Sequence, residues 1–225
     1  MPENTVIHPI CPGRRILILG DSHTVGQYGK ILDQACRDAG ARVRTYASCS
    51  SHPIWWFDGT RTHCGYFSRN DKGQILRVPF GQLKPTPRLP LLLKQFKPEL
   101  VVVSLGANMV DYSRETVMGT SAKMAQYIAE AGAALIWVGP PVIRLQPRWK
   151  LDRLCGWLHT AVKPWARFID SRPYTHYPET GGDGIHFKGA EGRKIAKDWA
   201  QAVFAQIQGS DLDPDSDPLG TSGNT

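Results

Sequence analysis

Long apolar runs are missing from this 225-residue chain. Its most hydrophobic stretches, such as Ile16–Leu19 and Leu100–Val103, have strand length and fall well short of the ~18 residues of a membrane span. Met1–Gly13 holds no apolar core of a signal peptide. The expectation is therefore cytoplasmic synthesis, with periplasmic or extracellular action by another route left open. Cysteine is scarce and odd in number, with 5 residues. None of Cys11, Cys36, Cys49, Cys64 and Cys155 forms a CxxC pair, which argues against a zinc ribbon or a thioredoxin-type motif. Cys49 and Cys64 flank one loop; a bridge between them suits an exported protein, and reduced, partly buried thiols are the equal alternative. Dense Lys/Arg clusters are also missing, although 27 bases outnumber 20 acids and the formal charge is +7. A basic body attracts polyanions or simply keeps a protein soluble, and no nucleic-acid motif accompanies it. Internal repeats are missing as well.

What remains is ordinary globular material, 41% hydrophobic and 21% charged. Those values exclude wholesale disorder, collagen and coiled coil. The length suits one domain, over residues 1–208, because single α/β domains run to about 250 residues. Residues 209–225 hold Asp211, Asp213, Asp215 and Asp217 among Gly, Ser and Pro, and read as a disordered acidic tail.

The chain alternates short apolar runs with amphipathic ones. Strands are predicted over Arg15–Gly20, Arg42–Ala47, Glu99–Leu105, Ala133–Val138 and Arg167–Asp170. The Val101-Val102-Val103 run suits a central strand buried on both faces. Helices are predicted over Gln27–Ala39, Arg88–Phe96, Arg114–Ala131, Trp149–Val162 and Lys188–Gln208. Glycine follows two of them, at Gly40 and Gly132. Strand and helix in alternation argue for an α/β fold with a parallel sheet covered on both faces. Residues 50–87 break the rhythm. They form an aromatic-rich insertion, with a hairpin expected around Asn70-Asp71-Lys72-Gly73.

Chemistry gathers where these strands end, as it does in such sheets. Gly20-Asp21-Ser22-His23 follows the first strand and Ser48-Cys49-Ser50 the second. Gly106-Ala107-Asn108 follows the valine strand, and Asp183-Gly184-Ile185-His186 precedes the last helix. A serine hydroxyl is a poor nucleophile until a base takes its proton. His186 suits that task for Ser22, with Asp183, three residues away, fixing the imidazole tautomer. The Asn108 amide and the Ser22 backbone N–H are natural donors to an oxyanion. Taken singly, Ser22 reads as a helix cap, His186 as a surface residue and Asn108 as a turn former. Taken together and in order they read as one site.

This set resembles the SGNH, or GDSL-like, hydrolase superfamily over residues 14–208. Gly20-Asp21-Ser22 matches its first block, Gly106-Ala107-Asn108 its third and Asp183-Gly184-Ile185-His186 its last. The resemblance implies a flavodoxin-like three-layer α/β/α sandwich. It implies Ser22 as nucleophile, His186 as base, Asp183 as its partner and Asn108 as oxyanion donor, with no metal and no cofactor. One departure stands out. The family's second block supplies a glycine whose N–H completes the oxyanion hole, whereas here Ala47-Ser48-Cys49-Ser50-Ser51 has none. Ser50 or Cys49 still carries an N–H, provided that the loop adopts a conformation a Cβ tolerates.

Trp55 and Trp56, with Phe57, Tyr66 and Phe67, point to a sugar, because flat amphipathic rings stack on sugar faces. The competing reading is a small satellite core under the loop. His23 is a further candidate for substrate contact. His52 and His63 lack the spacing of a metal site. The expected function is an esterase that removes acyl groups, foremost O-acetyl, from a carbohydrate such as a cell-wall or extracellular polysaccharide. The expected partner is that acylated carbohydrate, with no specific nucleic acid. The alternatives are a polysaccharide O-acetyltransferase using the same triad and a non-catalytic glycan-binding module.

Overall fold

The computed structural model describes residues 8–209. The acidic segment expected to be disordered lies, from Ser210 onward, outside them. The strands are β1 (Arg15–Gly20), β2 (Arg42–Ser48), β3 (Arg61–Thr62), β4 (Tyr66–Arg69), β5 (Ile75–Val78), β6 (Lys84–Pro85), β7 (Leu100–Ser104), β8 (Ala134–Val138) and β9 (Arg167–Ile169). The helices are α1 (Ser22–Val25), α2 (Gln27–Asp38), α3 (Trp55–Asp58), α4 (Leu89–Phe96), α5 (Arg114–Glu130), α6 (Arg148–Val162) and α7 (Gly189–Ile207). Every strand and helix expected from the pattern is present, with ends moved by a residue or so.

Five strands form a parallel array in the order β2-β1-β7-β8-β9, the flavodoxin-like order. Alternate residues of β1, β7 and β8 feed two cores. Leu17, Leu19, Val101, Val103, Leu135 and Trp137 pack against α4, α5 and α6. Ile16, Ile18, Leu100, Val102, Ile136 and Val138 pack against α2 and α7. Burial on both faces explains why these strands read as unbroken Val, Ile and Leu. α5 begins at Ser113, whose hydroxyl accepts the Thr116 N–H. α7 buries Trp199, Val203 and Ile207 against the second core.

The insertion is more ordered than a large loop. β4 and β5 form the expected hairpin, with Arg69 opposite Ile75, and β4 pairs antiparallel with β2. The sheet thereby gains two antiparallel strands at one edge. Arg69 donates to the buried carboxylate of Asp33 at 2.8 Å, and Arg37 meets the same group at 2.9 Å. Asp71, in the hairpin turn, holds Arg42 and Arg44 of β2, each at 2.8 Å. No described helix is long and apolar enough to cross a membrane.

Candidate active site

The four segments singled out in the sequence converge at the carboxyl ends of β1, β2 and β7. Gly20 closes β1, and a Cβ placed there would come within 1.9 Å of the Thr24 hydroxyl oxygen. Only glycine lets the chain turn so tightly from strand into helix. Asp21 is the N-cap of α1 and accepts the His23 N–H at 3.0 Å. Ser22 is the first helical residue, so its own N–H has no partner within the helix.

His186 Nε2 lies 3.0 Å from Ser22 Oγ, and His186 Nδ1 lies 3.0 Å from Asp183 Oδ2. The loop from Asp183 to His186 is built around that carboxylate. Its Oδ1 accepts the N–H of Ile185 at 3.0 Å and of His186 at 2.6 Å. Lys188 Nζ donates to Oδ2 at 2.8 Å. Partial burial opposes the charge on Asp183, but the bonds from Lys188, His186 and Ile185 win and hold its carboxyl far below the usual carboxylate range. Gly184 makes the turn at φ +74°, where a Cβ would also strike Leu145.

Ser50 takes the place where the resemblance calls for glycine, and its φ is +65°. A side chain tolerates this left-handed conformation at a cost of about 1–2 kcal/mol. Among the described residues Lys97 is the only other non-glycine with positive φ, and it caps α4 by donating to Leu93 O. Ser50 caps no helix. The Cys49 N–H is taken by Gly65 O at 3.0 Å and the Ser51 N–H by Ser48 O at 3.1 Å. Of the two donors considered from sequence, Ser50 alone has its N–H open. Cys49 and Cys64 are joined by a disulfide. Asn108 sits in the 3-10 turn after β7. Its Nδ2 donates to Ser51 O at 3.1 Å and makes a longer 3.4 Å contact with Asp21 Oδ2.

Asp21 and His23 are both buried. Burial raises the Asp21 carboxyl to about 7. It lowers the His23 imidazole to about 3, with the charge of His186 adding to the effect. The His23 ring lies against His186, Phe187 and Trp199, and its Nε2 has no hydrogen-bond partner. It forms a neutral, largely buried layer beneath His186 and also lines the cleft beside Ser22.

A cleft of about 500 Å³ opens beside Ser22 and His186. Val25, the disulfide, Phe80, Phe187 and Trp199 line it. The sequence-based expectation for Trp55 and Trp56 needs correction. Trp56 is fully buried in the core shared with α4 and α5. Trp55 is half-buried against His52, and neither lines the cleft. The insertion does contribute an aromatic there, but it is Phe80, 77% exposed. Sequence reasoning missed it because Phe80 lies near the end of the insertion, away from the Trp pair, and only the sheet pairing of the hairpin brings it round. His52 packs on Tyr112 and His63 on Phe80, so the two serve separate contacts.

A doubly covered parallel sheet in this order, with a Ser–His–Asp line at its carboxyl edge, has the fold of the SGNH hydrolases. The chain superposes on an SGNH hydrolase, so assigned only provisionally, from Slackia heliotrinireducens with a TM-score of 0.57 at 17% identity, over 87% of this chain and 99% of the other. It superposes equally, at 0.57 and 14% identity, on a catalytic mutant of Axe2, an acetylxylan esterase from Geobacillus stearothermophilus, over 89% of this chain and 96% of the other. In sequence it is similar to protein BcsX of Komagataeibacter xylinus, 29% identical over 197 residues, covering 82% of this chain and 74% of BcsX. No family model matches the chain.

Proposed function

We propose that this protein is a serine esterase that cleaves acyl groups, foremost acetyl, from a carbohydrate. The observation that carries the reading is the Ser22–His186–Asp183 line, two 3.0 Å contacts at the wall of an open cleft. Ser22 Oγ attacks the ester carbonyl while its proton passes to His186 Nε2. Asp183 holds the imidazole through Nδ1 and stabilises the imidazolium. The ester C–O bond then breaks, and His186 returns the proton to the departing sugar oxygen. Water, deprotonated by the same imidazole, releases the carboxylic acid and restores Ser22.

The tetrahedral oxyanion is received by the N–H groups of Ser22 and Ser50, with the Asn108 amide as a third donor. The Asn108 hydrogen on the long contact to Asp21 is the one an oxyanion competes for. The carbohydrate preference draws on the likeness to an acetylxylan esterase and on the mixed aromatic and polar lining of the cleft. A binding module would have no use for a base and carboxylate aligned behind Ser22.

The test is hydrolysis of p-nitrophenyl acetate by wild type, Ser22→Ala and His186→Ala, followed by acetate release from acetylated oligosaccharides. A loss of ~10³-fold or more in kcat for both variants supports the reading. Equal hydrolysis by Ser22→Ala, or a folded wild type that cleaves no ester, overturns it.

A further inference from the structure

We propose that the Cys49–Cys64 disulfide is a positioning device for the reaction, clamping Ser50 in the left-handed conformation that presents its N–H to the oxyanion. The inference rests on the esterase reading above. Three observations converge on it. First, Ser50 holds φ +65° as the third residue of the turn closed by the Ser51 N–H to Ser48 O bond, a position that suits glycine and that a side chain occupies at a cost. A residue with a Cβ leaves this region readily when released, whereas glycine stays there at no steric cost. Second, the restraints on the segment all point one way. The disulfide and the Cys49 N–H to Gly65 O bond tie its first residue to the link just before β4. The Ser50 hydroxyl lies 3.2 Å from Cys64 Sγ. Beyond it, Ser51 donates its hydroxyl to Gly20 O and receives the Asn108 amide. Third, Cys49 and Cys64 line the same cleft as Ser22 and His186, so the bond stands at the reacting centre and within reach of a small thiol.

The chain thus meets one need by two linked choices. Where a glycine would sit unaided, a serine sits with a covalent brace beside it. Breaking the brace leaves only hydrogen bonds on either side of Ser50, from Cys49 to Gly65 and from Ser51 to Ser48, and relaxing this turn swings the Ser50 N–H away from the oxyanion. The free cysteines of the described region, Cys11, Cys36 and Cys155, lie outside the cleft lining.

The experiment compares kcat and KM for p-nitrophenyl acetate in the oxidised protein, in protein reduced with dithiothreitol, and in Cys49→Ser/Cys64→Ser. Each is repeated on a Ser50→Gly background, and circular dichroism and Tm follow the fold throughout. The expected result is a fall in kcat of about 10²-fold on reduction or double substitution, the usual cost of one oxyanion donor, at unchanged KM. On the Ser50→Gly background the ratio of oxidised to reduced kcat falls close to one. A kcat indifferent to reduction in an active enzyme overturns the clamp and leaves the esterase reading standing. An equal loss on the glycine background also overturns it, because the disulfide is then serving the fold alone. A wild type inactive in both redox states, with Ser22→Ala no different, removes the esterase reading and the clamp with it.

Discussion

The carboxylate of Asp21 and the carboxamide of Asn108 meet at 3.4 Å beside Ser22, joining the turn after β1 to the turn after β7. Asp21 is fully buried, and its carboxyl is raised from 3.8 to about 7. The unfolded chain ionises first, so this group makes the protein less stable as pH climbs from about 4 to 7, at up to ~1.4 kcal/mol per unit. Asp21→Asn removes that slope. The amide oxygen still accepts the His23 N–H, but its NH₂ then faces the Asn108 NH₂, donor against donor. The expected outcome is a flatter stability profile in urea titrations between about pH 4 and 7, with kcat lower by about tenfold from the displaced Asn108.

Asp183→Asn separates charge from architecture at the other end of the site. The amide oxygen can keep the bonds to the Ile185 and His186 N–H groups, so the loop holds. Its NH₂ then meets His186 Nδ1 and favours the tautomer that cannot accept the Ser22 proton. The expected loss is about 10⁴-fold in kcat with Tm little changed. Steady-state kinetics beside a thermal melt reads both, and a loss accompanied by unfolding would assign Asp183 to the fold instead.

Phe80 and Trp56 divide the roles that the aromatic insertion suggested. Phe80→Ala is expected to raise KM for an acetylated oligosaccharide by a few-fold, roughly the ~0.5–1.5 kcal/mol of one ring contact. Stability and p-nitrophenyl acetate turnover should barely move. Trp56→Ala is expected to cost about 3–5 kcal/mol of stability, because it empties a core position. A Trp56 variant that folds normally but loses glycan affinity would reverse this assignment.

Asp71 latches the added hairpin to β2 through Arg42 and Arg44, whose bonds hold its carboxyl at about 2. A carboxyl depressed in the folded state stabilises above its ordinary 3.8, and that contribution disappears as pH falls through about 2. Asp71→Asn should therefore lower stability by about 1 kcal/mol at pH 7, allowing for the exposed Arg42, and by little near pH 2. Chemical denaturation at the two pH values checks the sign.

The sequence by itself determined the elements and the chemical inventory. Val101–Val103 and Ile16–Leu19 announced strands buried on both faces, and Trp199, Val203 and Ile207 announced the buried stripe of α7. Such signals are local: they depend on period and on side-chain type. Ser22, Asp183 and His186 were legible for a related reason, since a strand end or helix start fixes where each must stand. The partners of an insertion are not local. Sheet pairing of β4 with β2 decided that Arg69 would neutralise Asp33 and that Phe80 would come to the cleft, and packing of α3 beside α4 sank Trp56 into the core. The missing glycine marked a question in the sequence. Tertiary structure answered it with Ser50 at φ +65° between a disulfide and a hydrogen-bonded turn. A conformation that costs a side chain energy locally persists when distant contacts hold it, and a sequence read along its length does not display those contacts.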